Sequence, residues 1–225
     1  DGARLFAANE GDDSISIVDT VSRAVIATVG VGQNPEALAV SPDGATLYVA
    51  NAQDDTVSVI DTVSATVTAT VNVGNLPRGI AISPDGATVY VASAADNTVS
   101  TINTADNTVT AVVTVGNYPY KVTVSPNGTR LYVTSPGTGE VIVLNTAGLS
   151  VIAAIPVGAQ PTNVAITPDG KFAYVANQFD TLMVIDTATN TVIHDYPIDN
   201  SAAQVAVSPG GDVVYITSTS DDAVF

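Results

Sequence analysis

The apolar positions of the chain alternate with polar ones over short segments that are separated by turn residues. Residues 77–93 read PRGIAISPDGATVYVAS, with alternating isoleucines before the SPDG turn and alternating valines after it. Apolar side chains that recur every second residue are typical of β-strands. In the turn, proline fixes φ, aspartate hydrogen-bonds to nearby backbone, and glycine adopts a positive φ. The segment therefore predicts a β-hairpin.

This turn recurs at a fixed interval along the whole chain. Its copies begin at Ser41, Ser83, Ser125, Thr167 and Ser208, so that the spacing is 42 residues three times and then 41. A constant period of this size predicts a repeat architecture.

Each period contains four strand signals. In the second copy these predict strands at Ala37–Ser41, Thr46–Asn51, Thr56–Asp61 and Thr66–Val73. Valine, isoleucine, threonine and tyrosine dominate them, and no helical periodicity interrupts them. We therefore predict an all-β fold, a β-propeller built of four-stranded antiparallel blades of about 42 residues. The alternative, a β-sandwich, has irregular connections that do not produce so strict a period.

The second strand of each period carries a resemblance to a known family. The segments YVAN, YVAS, YVTS, YVAN and YITS begin at Tyr48, Tyr90, Tyr132, Tyr174 and Tyr215. Together with SPDG, VIDT and the VGxxP loops, they resemble the repeats of YVTN β-propellers. This family includes surface-layer and cell-surface proteins, often with seven blades. The resemblance implies an extracellular or cell-surface location, and its motifs are scaffold motifs that carry no activity with them.

The two ends of the sequence occupy the same strand positions of the repeat. We therefore expect residues 1–225 to form a single propeller domain with four full blades and partial blades at both ends. Five closed blades would leave these ends in competition for one place. The interpretation is a larger ring of about seven blades, or an assembly completed by a partner. The open blade edges are then candidate sites of self-assembly.

The chain is strongly acidic, with a net charge of −16 from 22 acidic and six basic residues. Nineteen of the acidic residues are aspartates, mostly in turns, so the charge first reflects how the strands are connected. An acidic surface repels phosphate backbones, which makes nucleic acid an unfavourable partner. The chain has no cysteine and no apolar run long enough to cross a membrane, so we expect no thiol chemistry and no membrane insertion.

Residues that vary between copies at one rim are candidates for binding. The positions that follow each VGxxP proline vary most, and with the residue before the proline they offer charged, amide and aromatic side chains. The candidate ligand-binding residues are Glu36, Arg78, Tyr118, Tyr120, Lys121, Asn163 and Gln204. A ring of these side chains would bind a glycan, peptide or protein, with Arg78 and Lys121 attracting an anionic group. The alternative is that these positions vary because nothing constrains them.

The loops between the second and third strands carry paired acidic residues. These pairs are Asp12-Asp13, Asp54-Asp55, Asp96-Asn97, Phe179-Asp180 and Asp221-Asp222. Calcium is a conceivable ligand, but no loop has the DxDxDG spacing and adjacent side chains point apart. We interpret them as turn-forming residues and predict no metal site and no cofactor.

Two single features have structural explanations that we favour. The only histidine, His194, stands where other copies have alanine in the fourth strand, so we expect it on an outer strand. Asn127-Gly128-Thr129 matches a glycosylation sequon, but it lies in one of the repeated turns, whose chemistry explains it.

The sequence predicts a non-enzymatic binding or scaffold module and no catalytic residues. The alternative is a lactonase-like or lyase-like propeller enzyme with a site at the same rim. Against it, the sequence shows no serine or cysteine nucleophile motif, a single histidine, and only Glu36 as a rim carboxylate. A quinone-dependent propeller is disfavoured because such sites commonly use tryptophan, which this chain lacks.

Overall fold

A computed structural model describes residues 2–179, 181–198, 202–218 and 223–224. These residues form antiparallel β-sheets joined by turns, with one short 3₁₀ helix at Glu10–Asp12 and no α-helix. None of them belongs to a helix that is long and apolar enough to span a membrane. The chain divides into two compact units, residues 1–112 and residues 113–225.

The first unit contains three sheets, each with its strands in chain order. The first sheet consists of β1 (Arg4–Asn9), β2 (Ser14–Asp19) and β3 (Ala24–Gly30). The second consists of β4 (Pro35–Val40), β5 (Thr46–Asn51), β6 (Thr56–Asp61) and β7 (Thr66–Asn72). The third consists of β8 (Pro77–Ile82), β9 (Thr88–Ser93), β10 (Thr98–Asn103) and β11 (Thr108–Thr114), which ends just past the unit boundary.

The second unit also contains three sheets with the same strand order. The fourth sheet consists of β12 (Val122–Val124), β13 (Arg130–Ser135), β14 (Glu140–Asn145) and β15 (Val151–Pro156). The fifth consists of β16 (Pro161–Ile166), β17 (Phe172–Asn177), β18 (Thr181–Asp186) and β19 (Thr191–Pro197). The sixth consists of β20 (Ala202–Val207), β21 (Val214–Ser218) and β22 (Ala223–Val224).

The prediction of an all-β chain built from four-stranded antiparallel sheets is confirmed. In the second sheet, the two middle strands have the predicted bounds, because tight turns delimit them on both sides. The outer two differ by one or two residues: β4 begins at Pro35 rather than Ala37, and β7 ends at Asn72 rather than Val73.

The core lies between the faces of neighbouring sheets within each unit. Leu47 and Val49 of β5 pack towards the first sheet, where they meet Ile15 and Ile17. Tyr48, between them in sequence, packs towards the third sheet. Because both faces of the middle strands are covered, β5 and β6 are almost entirely buried rather than alternately buried and exposed. Burial, with a smaller effect of Asp43, raises the pKa of Tyr48.

The SPDG turns have the hydrogen bonds that their sequence predicts. In the third sheet, the Gly86 amide donates to the Ser83 carbonyl (2.9 Å), and Gly86 has φ of 74°. The Asp85 carboxylate accepts hydrogen bonds from the Ser83 hydroxyl and from the Ala87 amide (3.0 Å). Asn127 makes the same contacts in its copy, with Oδ1 accepting from Ser125 Oγ and the Thr129 amide. Turn chemistry therefore accounts for the sequon.

A threonine that follows the third strand closes the turn in the first five sheets. The Thr62 hydroxyl donates to the Gly44 carbonyl at 2.6 Å, and Thr104 does the same to Gly86 at 2.8 Å. The equivalent pairs are Thr20 with Gly2, Thr146 with Gly128, and Thr187 with Gly170. This bond joins the turn between strands one and two to the end of strand three. It explains why threonine follows the aspartate or asparagine of the repeat.

The same turns also meet the neighbouring sheet. A Cβ atom at Gly86 would lie 3.3 Å from Pro42 Cδ of the preceding turn, and one at Gly211 would lie 3.2 Å from Pro168 Cδ. Arg130 adds a further link in the second unit, because its guanidinium donates to the Thr187 carbonyl of the next sheet. The turns therefore position sheets relative to their neighbours within a unit.

Replacing Thr62 by valine should lower the free energy of unfolding by about 1 kcal/mol, the net value of one hydrogen bond. Thr62 is buried, and valine keeps its shape but cannot donate to Gly44. Thr70→Val is the matched control, because Thr70 is an exposed threonine on β7. Urea denaturation should show the control within about 0.5 kcal/mol of the wild type. Equal losses in the two variants would contradict the role of the hydroxyl.

The turn aspartates should make stability depend on pH in acid. Hydrogen bonds from the Thr167 hydroxyl and the Lys171 amide lower the pKa of Asp169 from 3.8 to about 2, and the pKa of Asp85 is lowered in the same way. A depressed pKa in the folded state stabilises the protein above about pH 4, and this contribution is lost as the pH falls towards 2. Asp169→Asn should therefore flatten the dependence of the unfolding free energy on pH in that window.

The reciprocal variant is Asn127→Asp, which introduces the carboxylate into the one copy that lacks it among those at 43, 85, 127 and 169. It should steepen the same acid dependence. Denaturant titrations at several pH values between about 2 and 5 measure both effects, and parallel curves for the three proteins would refute the assignment.

Candidate ligand-binding site

The VGxxP loops and the loops between strands two and three lie at the end of each sheet opposite the SPDG turns. The prolines Pro35, Pro77, Pro119 and Pro161 are buried. The residue before each of them, Asn34, Leu76, Tyr118 or Gln160, has φ between 55° and 58°. A left-handed conformation is unfavourable for a bulky side chain, so the fold rather than residue preference sets this geometry.

Aspartates of the acidic loops hold the VGxxP backbone in the first unit. Asp54 Oδ2 accepts a hydrogen bond from the Gln33 amide at 2.8 Å, and Asp13 Oδ1 accepts one from the Asn34 amide at 2.9 Å. The next loop repeats the arrangement, with Asp96 bound to the Asn75 amide and Asp55 to the Leu76 amide. These carboxylates are thus engaged as structural acceptors.

The described residues contain no group of three or more His, Asp or Glu side chains that could hold a metal ion. Of the acidic pairs named from the sequence, Asp180 and Asp221-Asp222 lie outside the described residues.

A β-bulge places the variable residue at the start of the first strand in the second, third, fifth and sixth sheets. The register shifts between Pro35 and Ala37 and again between Pro77 and Gly79, so that Glu36 and Arg78 are the extra residues. Thr162 and Ala203 occupy the same position in the fifth and sixth sheets. A bulge redirects the side chain that it carries, and bulges are frequent beside functional sites.

In the first unit, the bulges bring Glu36 and Arg78 together. Arg78 Nη1 lies 3.4 Å from Glu36 Oε2, and the Asn34 side-chain amide donates to Glu36 Oε1 at 3.1 Å. Both side chains are largely shielded, with 26% of Arg78 and 13% of Glu36 exposed. Glu36 thus compensates part of the Arg78 charge across the neighbouring strand, and the attraction of an anionic ligand by Arg78 stays a prediction.

In the second unit, the predicted residues surround a pocket of about 440 Å³. Tyr118, Tyr120 and Gln204 line it, while Asn163 donates a hydrogen bond to Gln204 Oε1. Lys121 is not part of the lining, and its Nζ lies 5.5 Å from the centre of the Tyr120 ring, in a cation–π contact.

Sequence reasoning missed part of this pocket. Gln160 and Gln178 contribute two more amides, and Pro136 and Gly137 form a wall. The signal was present: where other copies have acidic residues, the loop after β13 reads Pro136-Gly137-Thr138-Gly139. Its Gly137 amide donates to the Asn117 carbonyl at 3.1 Å, and Ser135 Oγ accepts from the Asn117 amide at 2.7 Å. Neutral groups therefore replace aspartate as the support of this VGxxP loop.

His194 is remote from this chemistry. It lies exposed on β19, the outermost strand of the fifth sheet, opposite Val184 and 5.6 Å from the Tyr196 ring centre. Its predicted position on an outer strand is confirmed.

Two β-propeller family models match the chain. Residues 77–191, half of the chain, match the model described as lactonase, 7-bladed beta-propeller. The chain belongs to this propeller family. Residues 2–88 match the model of YNCE-like beta-propellers. Comparison with curated proteins gives no match.

Solved structures similar to this propeller come from unrelated contexts. Hydrazine synthase of Kuenenia stuttgartiensis is 23% identical over the whole chain and 92% of its own length, with a TM-score of 0.70. A functionally unknown protein from Desulfotomaculum acetoxidans is 19% identical, with 96% and 73% of the two chains covered and a TM-score of 0.88. A chain of a mitotic checkpoint complex is 17% identical, with 100% and 72% covered and a TM-score of 0.89. At these identities the likeness shows the β-propeller fold alone.

Gly137→Ala should disturb this propeller's pocket wall. A Cβ atom at residue 137 would lie 2.7 Å from the Asn117 carbonyl oxygen, so backbone must move, at a cost of about 1–3 kcal/mol. Gly148→Ala is the matched control, because a Cβ there meets nothing within 4 Å. Thermal and urea denaturation of both variants measure the difference. An equally stable Gly137→Ala protein would show that the wall yields without cost.

Proposed function

We propose that this propeller is a non-enzymatic binding module of an extracellular or cell-surface protein. Its ligand site is the pocket beside Tyr118 and Tyr120, and its partner is a polar polymer such as a glycan, a peptide or a protein segment. The YVTN-type motifs support the surface location, because the family that they resemble includes surface-layer and cell-surface proteins. The net charge of −16 disfavours nucleic acid as a partner.

The observation that carries this proposal is the coincidence of the pocket with a break in the repeat. In the first unit, aspartates support the VGxxP loops and the variable residues Glu36 and Arg78 pair with each other. In the second unit residues 136–139 replace the acidic loop, the support of the VGxxP loop is neutral, and Pro136 and Gly137 of this segment line the pocket. Concave sites with a few converging polar groups on apolar walls are typical of ligand binding.

A panel of immobilised glycans and peptides tests the proposal. The wild-type module should bind at least one class, and Tyr120→Ala should weaken that binding about tenfold by removing an aromatic surface. Tyr215→Ala is the control, because Tyr215 is an exposed tyrosine of the sixth sheet that does not line the pocket. Unchanged binding by Tyr120→Ala, or no binding by the wild type, would overturn the assignment.

The alternative function is a lactonase-like enzyme with its site at the same end of the sheets. The family match over residues 77–191 favours it. Hydrolysis of a lactone needs a group that activates water, and the ionisable groups among the described lining residues are the phenols of Tyr118 and Tyr120. Turnover of a lactone panel that disappears in Tyr118→Phe or Tyr120→Phe would replace the binding proposal.

A further inference from the structure

We propose that the ligand of this pocket is an uncharged saccharide with adjacent free hydroxyl groups. The inference rests on the proposed function, and it narrows the ligand from polar polymers in general to one chemical class. Three properties of the described lining carry it: the amide groups, the aromatic surface and the absence of charged side chains.

The polar lining consists mainly of primary amides. Gln160, Gln178 and Gln204 come from the loop before β16, the loop after β17 and the strand β20. An amide presents a donor and an acceptor side by side, and a pair of neighbouring sugar hydroxyls presents the same combination. Gln204 Oε1 already accepts from Asn163, which orients the Gln204 NH₂ group as a donor. One lone pair of Gln204 Oε1 is thus engaged, and the two N–H groups suit hydroxyl oxygens.

The walls supply flat apolar surface and sufficient room. Tyr118 and Tyr120 line one side, and 38% of Tyr118 is exposed. The face of a sugar ring carries C–H groups that pack on an aromatic ring, while its edge carries hydroxyls that reach the amides. The volume of about 440 Å³ lies within the usual range of about 300–1,000 Å³ for small-molecule pockets.

The charge of the lining argues for a neutral ligand. No Asp, Glu, Lys, Arg or His is among the described residues that line the pocket. An anionic ligand would approach a chain of net charge −16, and Lys121, the cation over the Tyr120 ring, is in a cation–π contact there and is not part of the described lining. A cationic ligand would likewise lose its hydration without gaining a carboxylate partner there.

The pocket is held in shape before a ligand arrives. The Thr162 hydroxyl donates to the Ala176 carbonyl at 3.1 Å and lies 3.3 Å from the Ala202 carbonyl, so that it connects the fifth and sixth sheets. Gly137 is fixed against Asn117 on the opposite wall. A preformed site loses less conformational entropy on binding, which matters for ligands such as sugars that make few apolar contacts.

A peptide is the less favourable occupant. Extended peptides commonly bind by adding a strand to an exposed sheet edge, where a row of backbone groups pairs with them. This pocket is instead formed by side chains and loops of three different sheets. Converging side chains suit a compact ring better than an extended backbone.

Isothermal titration calorimetry of the whole chain tests the inference. The probes are oligomers of glucose, mannose and N-acetylglucosamine, with oligogalacturonate, chitosan oligomers and a serine-rich peptide for comparison. At least one neutral oligomer should bind, and the charged oligomers and the peptide should bind at least about tenfold more weakly.

Gln204→Glu is the decisive variant. It keeps the shape and the acceptor for Asn163 but removes the donors and adds a charge, so it should weaken binding of the neutral oligomer about tenfold. Gln53→Glu, at an exposed glutamine outside the pocket, adds the same charge and should bind like the wild type. Tyr120→Phe should keep the affinity within about threefold, because the ring face remains.

The outcomes separate the two levels of the proposal. Preference for the peptide or for a charged oligomer, or equal binding by Gln204→Glu and Gln53→Glu, overturns the saccharide inference and leaves a binding module. Failure of every probe, including the wider glycan and peptide panel, overturns both.

Discussion

The hydrogen bond from a threonine hydroxyl to a turn glycine carbonyl is the contact on which the repeat depends. It occurs in five copies, with distances of 2.5 to 2.8 Å. The glycine must have a positive φ to turn the chain, and its carbonyl then meets the threonine at the end of strand three. Because one bond spans three strands, the register of the sheet is fixed at this end. The aspartate that precedes the threonine caps the next turn, which accounts for much of the acidity without a functional role.

These hydrogen bonds constrain the SPDG end of the first five sheets, whereas the residues at the VGxxP end vary between copies. The VGxxP loops need only a buried proline, a left-handed residue and an acceptor for their amides, and the acceptor differs between copies. Asp54 and Asp96 serve in the first unit, whereas Ser135 serves in the second. Ser135 is the last residue of β13, and Pro136 and Gly137, which follow it, line the pocket. Replacement of a carboxylate acceptor by a neutral one thus accompanies this pocket.

The fold could be predicted from the sequence because its determinants are local. The turn at 83–86 and the strands at Thr46–Asn51 and Thr56–Asp61 follow from residue type and period alone. Comparison of the repeat copies with one another predicted candidate site residues, but it could not predict which side chains they contact. That Glu36 pairs with Arg78 depends on bulges in two neighbouring sheets, and no local signal specifies a bulge there. Gln178 could not be predicted from variation at the residues after the proline, because it lies in the loop between strands two and three, which also lines the pocket.

A pocket with an uncharged lining in an acidic protein selects ligands by two effects, one of long range and one of short range. Long-range repulsion from a net charge of −16 keeps anionic polymers away, while short-range contacts decide among the neutral ligands that approach freely. In the first unit, Arg78 forms an ion pair with Glu36, which reduces its attraction for an anion at the VGxxP end of the sheets. The described lining in the second unit instead offers amides and tyrosines, whose interactions are weak singly and add up only over a ligand of matching shape. Recognition by shape and hydroxyl pattern, rather than by charge, is the mode that this distribution of residues favours.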